Sequence, residues 1–244
     1  MGEYMFRSND LKQVSTNKIY KYYSYDCDEE KMFAPFLKNT LRYRHPSSLN
    51  DPYDCYICKK NGRFYESIRK IEMRNVFVCS LTTSCDDILM WSHYATNHQG
   101  FVLEYDLEKL RTINECQLED FSYVEYSDDV IEKTTRDFLS DASSERKSLK
   151  AIFHKSKCWE YEKEIRSVLY GSLYSKNDYH DITLPDNSIS AVILGSHFIS
   201  KHKSIPKLLQ NMYINNQLFY MQLQAGSYRL QKECGSLEEY FDSI

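Results

Sequence analysis

A chain of 244 residues, 42% hydrophobic and 27% charged, can bury one large core or two small ones, and no long polar linker divides it. Its formal net charge of −4 excludes a surface that is basic throughout. Of eight cysteines only Cys55 and Cys58 form a C-x-x-C pair; the set reads as mostly reduced thiols, with zinc held by Cys55, Cys58 and a distant partner as the lesser alternative. No stretch approaches membrane-spanning length, MGEYMFRSND has no apolar run behind a basic head, and Phe6 stands where a myristoylation signal needs a small hydroxyl. The expectation is a single cytoplasmic domain, 1–244, without a membrane partner.

In chain order, IYKYYSY from Ile19 reads as a strand by its aromatic alternation. Glu29 to Lys38 reads as a short helix that Pro35 can break. HPSSLNDPYD is loop by composition, a helix is expected from about Arg63 to Arg74, and VFVCSL follows as a strand. Ser84, with Asp87 three residues on, predicts a capped helix through DDILMWSHYATNH that Gly100 ends. Ile88, Trp91 and Ala95 share one face of it, which suits core packing as well as a ligand wall. FVLEYDL and FSYVEYS read as strands, two helices are expected between Asp128 and Lys157, and EIRSVLY, HDITLP and SISAVILGS read as strands. A helix near Pro206 to Tyr213, the alternating LFYMQLQ and the acidic tail SLEEYFDSI complete the chain. Without a β-α-β rhythm or a glycine-rich nucleotide fingerprint, this order predicts α+β with a mixed, largely antiparallel sheet and flanking helices.

Three basic segments stand out against the acidic average. Arg42, Arg44 and His45 lie together, as do Lys59, Lys60, Arg63, Arg69 and Lys70. A helical reading puts Arg146, Lys150, His154 and Lys157 on one stripe. Each run alone fits a solvated face; beside aromatic residues the three suit a polyanionic ligand.

The stretch KCWEYEKEIRSVLY carries Glu160, Glu162 and Glu164 at alternate positions. In an extended chain Glu162 and Glu164 share a face about 6–7 Å apart. Carboxylates that close need water, cations or a raised pKa. Arg166 lies on their face and can pair with Glu164, while Lys163 points away. The alternative is an exposed helical set in which Lys157 and Lys163 partner Glu160 and Glu164.

Glu-x-Glu followed at once by a β-branched strand resembles the closing motif of the ADP-ribosyltransferase superfamily. That resemblance implies a split β-sheet, NAD as substrate, a ribose-binding role for Glu164 and an acceptor-engaging role for Glu162. IYKYYS resembles the superfamily's first strand and makes Tyr20, Lys21 and Tyr22 NAD contacts. Lys21 stands where Arg or His is usual, so the task falls to either Lys21 or Tyr22. FVCSLTTS resembles the strand that shapes the nicotinamide pocket, with Ser80 and Thr82, although its hydroxyl spacing is irregular. Breaking the ribose–nicotinamide bond develops an oxocarbenium-like cation that a fixed carboxylate stabilises. Trp91 or Tyr94 can supply the aromatic wall, and Lys21, Arg42 or Arg44 the pyrophosphate grip.

NDPYD, LMWSHYATNHQG, WEYEKEIR and AVILGS also look like the signatures of a bacterial domain-of-unknown-function family sometimes found in phage-defence loci. Together these resemblances imply a defence toxin that ADP-ribosylates a macromolecule, with RNA as the expected acceptor gripped by Arg146, Lys150 and Lys157. They imply an antitoxin or inhibitor as partner and no metal. Three alternatives stay open: a protein acceptor, a nuclease holding Mg²⁺ through Glu160, Glu162, Glu164 and Asp51 or Asp54, and a non-catalytic sensor of a ligand or phage protein.

Overall fold

The computed structural model describes residues 12–59, 63–64, 75–113, 118–134, 137, 141–170, 178–202 and 206–234. Strand β1 (Lys18–Tyr23) leads to α1 (Glu29–Met32) and α2 (Ala34–Leu37). The break between the helices falls at Phe33, and Pro35 sits in the first turn of α2, where a missing N–H is harmless. Then come β2 (Thr40–Arg44), β3 (Ile57–Lys59), β4 (Arg63–Phe64), β5 (Val76–Thr82), α3 (Ile88–Tyr94), β6 (Phe101–Asp106) and α4 (Leu107–Leu110). The strands β7 (Leu118–Tyr123), β8 (Glu125–Tyr126) and β9 (Ile131–Lys133) precede α5 (Asp141–Ile152) and β10 (His154–Lys155). The chain closes with β11 (Glu164–Tyr170), β12 (Tyr179–Thr183), β13 (Ile189–Leu194), α6 (Phe198–His202), α7 (Gln210–Ile214), β14 (Leu218–Leu223) and β15 (Leu230–Glu233). The class is mixed α+β with mostly antiparallel pairing and few helices.

The chain divides into two compact units. The first comprises Met1–Ser15, Arg42–Ser80 and Asn114–Asp181; the second comprises Thr16–Leu41, Leu81–Ile113 and Ile182–Ile244. β2, β5 and β12 are each shared out between them.

In the first unit β5 pairs with β2, at Arg44↔Val78, and with β11, which in turn runs antiparallel to β7. β3 pairs with β4 and lies parallel to β9, and β10 lies parallel to β8. Cys55, Ile57, Val76, Val78, Ile152, Phe153 and Val168 belong to its apolar core.

In the second unit β1 runs antiparallel to β6, with Tyr20 opposite Glu104, and Tyr20 also pairs with Thr82 at the end of β5. β6 continues to β13, β14 and β15. Phe101, Val102, Leu103 and Tyr105 of β6 are fully buried, as are Val192 and Leu194 of β13. That explains their nearly unbroken apolar sequences.

Several expectations change. Glu160 to Glu164 is not one extended ladder: Lys157–Glu162 forms a 3-10 helix, Lys163 turns left-handed at φ 46°, and β11 begins only at Glu164. The helix after β5 is capped by Asp87, whose carboxylate accepts from the Leu89 and Met90 N–H groups, while Ser84 donates to Asp86. Asp serves an N-cap as well as Ser does, and it moves the start three residues on. That helix ends at Tyr94; Thr96, Asn97 and His98 all have positive φ, so the left-handed turn precedes Gly100. Gly100 is needed for another reason, since a Cβ there would strike the Tyr23 carbonyl oxygen.

Arg63–Phe64 is strand rather than the start of a helix, and the rest of that expected helix lies outside the described residues. The stretch expected to hold two helices after Asp128 opens with β9, where Ile131 and Lys133 point inward on alternate positions; beyond it Asp137 is helical, and 135–136 and 138–140 lie outside the described residues. The acidic tail lies outside the described residues.

Candidate active site

The first unit buries a charged network built from four stretches of chain. NDPYD forms a tight turn in which the Asp51 carboxylate accepts from the Tyr53 N–H, and Cys55 follows in a left-handed conformation. That turn delivers Asp54 into the interior, 1% exposed. β10 delivers Lys155, the 3-10 helix ends on Glu162, and β11 carries Glu164 and Arg166 on one face. Lys155, Glu162, Glu164 and Arg166 are each at most 4% exposed.

Arg166 organises the cluster. Its Nε donates to Glu164 Oε1 at 2.6 Å, and Nη2 donates to Glu164 Oε2 at 3.0 Å and Asp54 Oδ1 at 2.5 Å. Nη1 donates to the Ile152 carbonyl at 2.6 Å and approaches Cys55 Sγ at 3.9 Å. All five guanidinium N–H groups thus have an acceptor in reach, as a buried arginine requires. Lys155 Nζ lies 2.5 Å from Glu162 Oε2, 3.4 Å from Glu164 Oε2 and 3.7 Å from Asp54 Oδ2, with the Trp159 ring 4.8 Å away. The Glu164 N–H donates to the Tyr126 hydroxyl at 2.8 Å, and Ser80 hydrogen-bonds the Glu164 carboxylate.

Within this network Asp54, Glu162 and Glu164 all lie within 4 Å of Lys155 Nζ, and Asp54 and Glu164 also bond Arg166. Burial pushes the Glu164 carboxyl up, but the charges of Arg166 and Lys155 outweigh it and hold the group well below the usual carboxylate range. Burial likewise pushes Lys155 down, and Glu164, Asp54 and Glu162 reverse that. Glu164 is therefore a carboxylate fixed in charge and direction, and Ser80 and Glu164 meet where β5 lies beside β11.

The second unit holds the other expected contacts. Tyr20 and Tyr22 share one side of β1 and Lys21 takes the opposite one. Tyr22 is buried, donates to the Ser84 carbonyl at 3.1 Å and meets Trp91 edge to face at 5.2 Å. Trp91 is fully buried, with its indole N–H on the Cys85 carbonyl at 2.7 Å. Thr82 Oγ1 accepts from the Ser84 N–H, and Tyr94 is half-buried beside His93. Of the expected acceptor stripe, Lys150 and Lys157 are exposed and Arg146 lies in α5.

Sequence reasoning paired Arg166 with Glu164 but missed Lys155, Tyr126 and Glu104. A lysine immediately after a histidine in a basic run gave no signal of burial, and Glu104 sits in a strand that otherwise reads as core. Cys55 and Cys58 are buried free thiols. Among the described residues no group of three or more His, Cys, Asp or Glu side chains could hold a metal ion, and no helix is long and apolar enough to cross a membrane.

Residues 90–167 match a family described as protein of unknown function (DUF2971). The matched span begins in α3 and includes Lys155, Glu162, Glu164 and Arg166. No curated protein and no solved structure matches the chain.

Proposed function

We propose that the chain is an NAD-dependent ADP-ribosyltransferase, with an ADP-ribosyltransferase-like split sheet, that modifies RNA as a toxin of phage defence. The observation that carries this reading is the buried, cation-held Glu164 carboxylate at the junction of β5 and β11. Both strands bear residues of the resemblance, Ser80 and Glu164, and those residues are hydrogen-bonded to each other. NAD loses neutral nicotinamide when the bond from ribose C1′ to the pyridinium nitrogen breaks with its electron pair. The ribosyl cation left behind is what a fixed carboxylate stabilises.

Arg166 fixes Glu164 through the short bond to Oε1. Oε2 is held by the longer contacts to Arg166 and Lys155, and it is the oxygen suited to a ribose hydroxyl. Glu162, on Lys155, engages the acceptor hydroxyl and takes its proton as that oxygen attacks C1′. Lys150 and Lys157 are solvent-facing cations suited to the acceptor's phosphates. NAD is a substrate here, no metal is required, and an antitoxin or inhibitor is the expected partner.

Incubation of the purified chain with NAD labelled in the adenylate phosphate and a cell extract, followed by separation of RNA from protein, tests the reading. Label in RNA supports it in full; label in protein moves the acceptor; absence of label from both fractions removes it.

A further inference from the structure

The second unit contains a buried charge cluster of its own. Glu104, in the middle of β6, is 2% exposed. Lys18 of β1 reaches its Oε1 at 2.8 Å and Lys232 of β15 reaches its Oε2 at 2.7 Å. Ser190 Oγ donates to Oε1 at 2.9 Å, and the Tyr20 hydroxyl hydrogen-bonds the same carboxylate. One carboxylate thus gathers two cations and two hydroxyls from β1, β13 and β15. Burial pushes Glu104 up, but its bonds to Lys18 and Lys232 bring it to about 2, so it stays an anion.

The two lysines are not closed in with it. Lys18 is 62% exposed and Lys232 23% exposed, and each ammonium has three donors of which Glu104 takes one. Lys232 Nζ sits 4.0 Å over the half-exposed ring of Phe219, which limits where it can swing. Asp106, opposite Lys18 across β1 and β6, caps the Lys109 N–H, and Glu233, next to Lys232, is half-buried opposite Tyr220 on β14. A single carboxylate already bridges the two ammonium groups, and each keeps two further N–H donors that a second oxyanion can take.

We infer that Lys18 and Lys232, held in place by the buried Glu104 carboxylate, form a binding subsite for a phosphate group. Phe219 and the half-buried Tyr20 offer aromatic surface beside it for a base or sugar. The phosphate belongs either to a nucleotide or to a nucleic-acid backbone, and the chemistry that recognises it is the same. The subsite does not rest on ADP-ribosyl transfer.

Calorimetric titration of the full chain with inorganic phosphate, ADP and a short single-stranded RNA tests it, alongside Lys18→Gln and Lys232→Gln. At least one probe should bind, with affinity falling about tenfold in each variant, as loss of a charge-assisted bond implies. Affinity should also fall as salt rises. ADP stronger than RNA identifies a nucleotide, and the reverse identifies a backbone. No binding by any probe, or unchanged binding in Lys18→Gln, overturns the inference; Lys18 is too exposed for its loss to unfold the chain. Since the readout is binding, a chain that turns over no NAD can still pass, and an active transferase can still fail.

Discussion

Arg166 and Asp54 stand 112 residues apart in the chain and 2.5 Å apart in the structure, guanidinium to carboxylate. The pair ties the NDPYD turn to the strand after the glutamates, and both groups are sealed from water. A buried ion pair contributes little net stability over an apolar one, but a half-broken one is costly because the orphaned charge stays inside. Arg166→Met takes the guanidinium away from the buried carboxylates of Asp54 and Glu164. It should destabilise the chain by about 3–5 kcal/mol, measured from the urea midpoint.

Lys155→Met is expected to show a distinctive pH response. It removes a cation that lies within 4 Å of three buried carboxyl groups, and protonating one of them relieves their repulsion. Its urea midpoint should therefore lie further below that of the native chain at pH 8 than at pH 5. An equal deficit at both values would mean that Lys155 contributes by packing rather than by charge.

Acid should unfold the native chain through Glu104 and Glu164. Both have folded-state values depressed from the ordinary 4.5, Glu104 to about 2. A depressed carboxyl contributes stability that is fully present above its unfolded value and is lost as pH falls through the folded one. The thermal midpoint should be level down to about pH 5 and fall steeply from there towards pH 2. Glu104→Gln should flatten part of that fall.

The parts of the fold legible in the sequence were those in which one residue type repeats on one side of an element. β1, β5, β6, β11, β13 and β14 announce themselves by apolar or aromatic runs, and Pro35 signals a helix boundary that falls two residues earlier, at Phe33. What stayed hidden depends on contacts distant in sequence. Lys155 and Glu104 are charged residues whose burial becomes possible only when partners arrive from other strands, so local pattern assigns the first to solvent and passes over the second. The glutamate ladder misled for a different reason. The alternation of acids imitates a strand, yet the turn at Lys163 needs a left-handed residue that no glycine or asparagine marks. Glu162 and Glu164 still meet at one lysine, by way of that turn instead of a shared strand face.

Gly195 and Gly100 hold close backbone crossings in the second unit. A Cβ on Gly195 would fall against the His98 carbonyl oxygen, and Gly195 N–H donates to the Gly100 carbonyl at 2.9 Å. Gly195→Ala should destabilise by roughly 1–3 kcal/mol through overpacking, since the obstacle is backbone that cannot rotate away. A thermal midpoint equal to that of the native chain would contradict the crossing as described.

The most direct test of ADP-ribosyl transfer is the release of free nicotinamide from NAD by the purified chain, compared with Glu164→Gln and Glu162→Gln preparations whose circular dichroism matches the native chain. Release that is abolished in a folded Glu164→Gln and reduced in Glu162→Gln is the predicted result. Release that continues undiminished in a folded Glu164→Gln, or no release by the native chain with RNA and protein acceptors present, would contradict it.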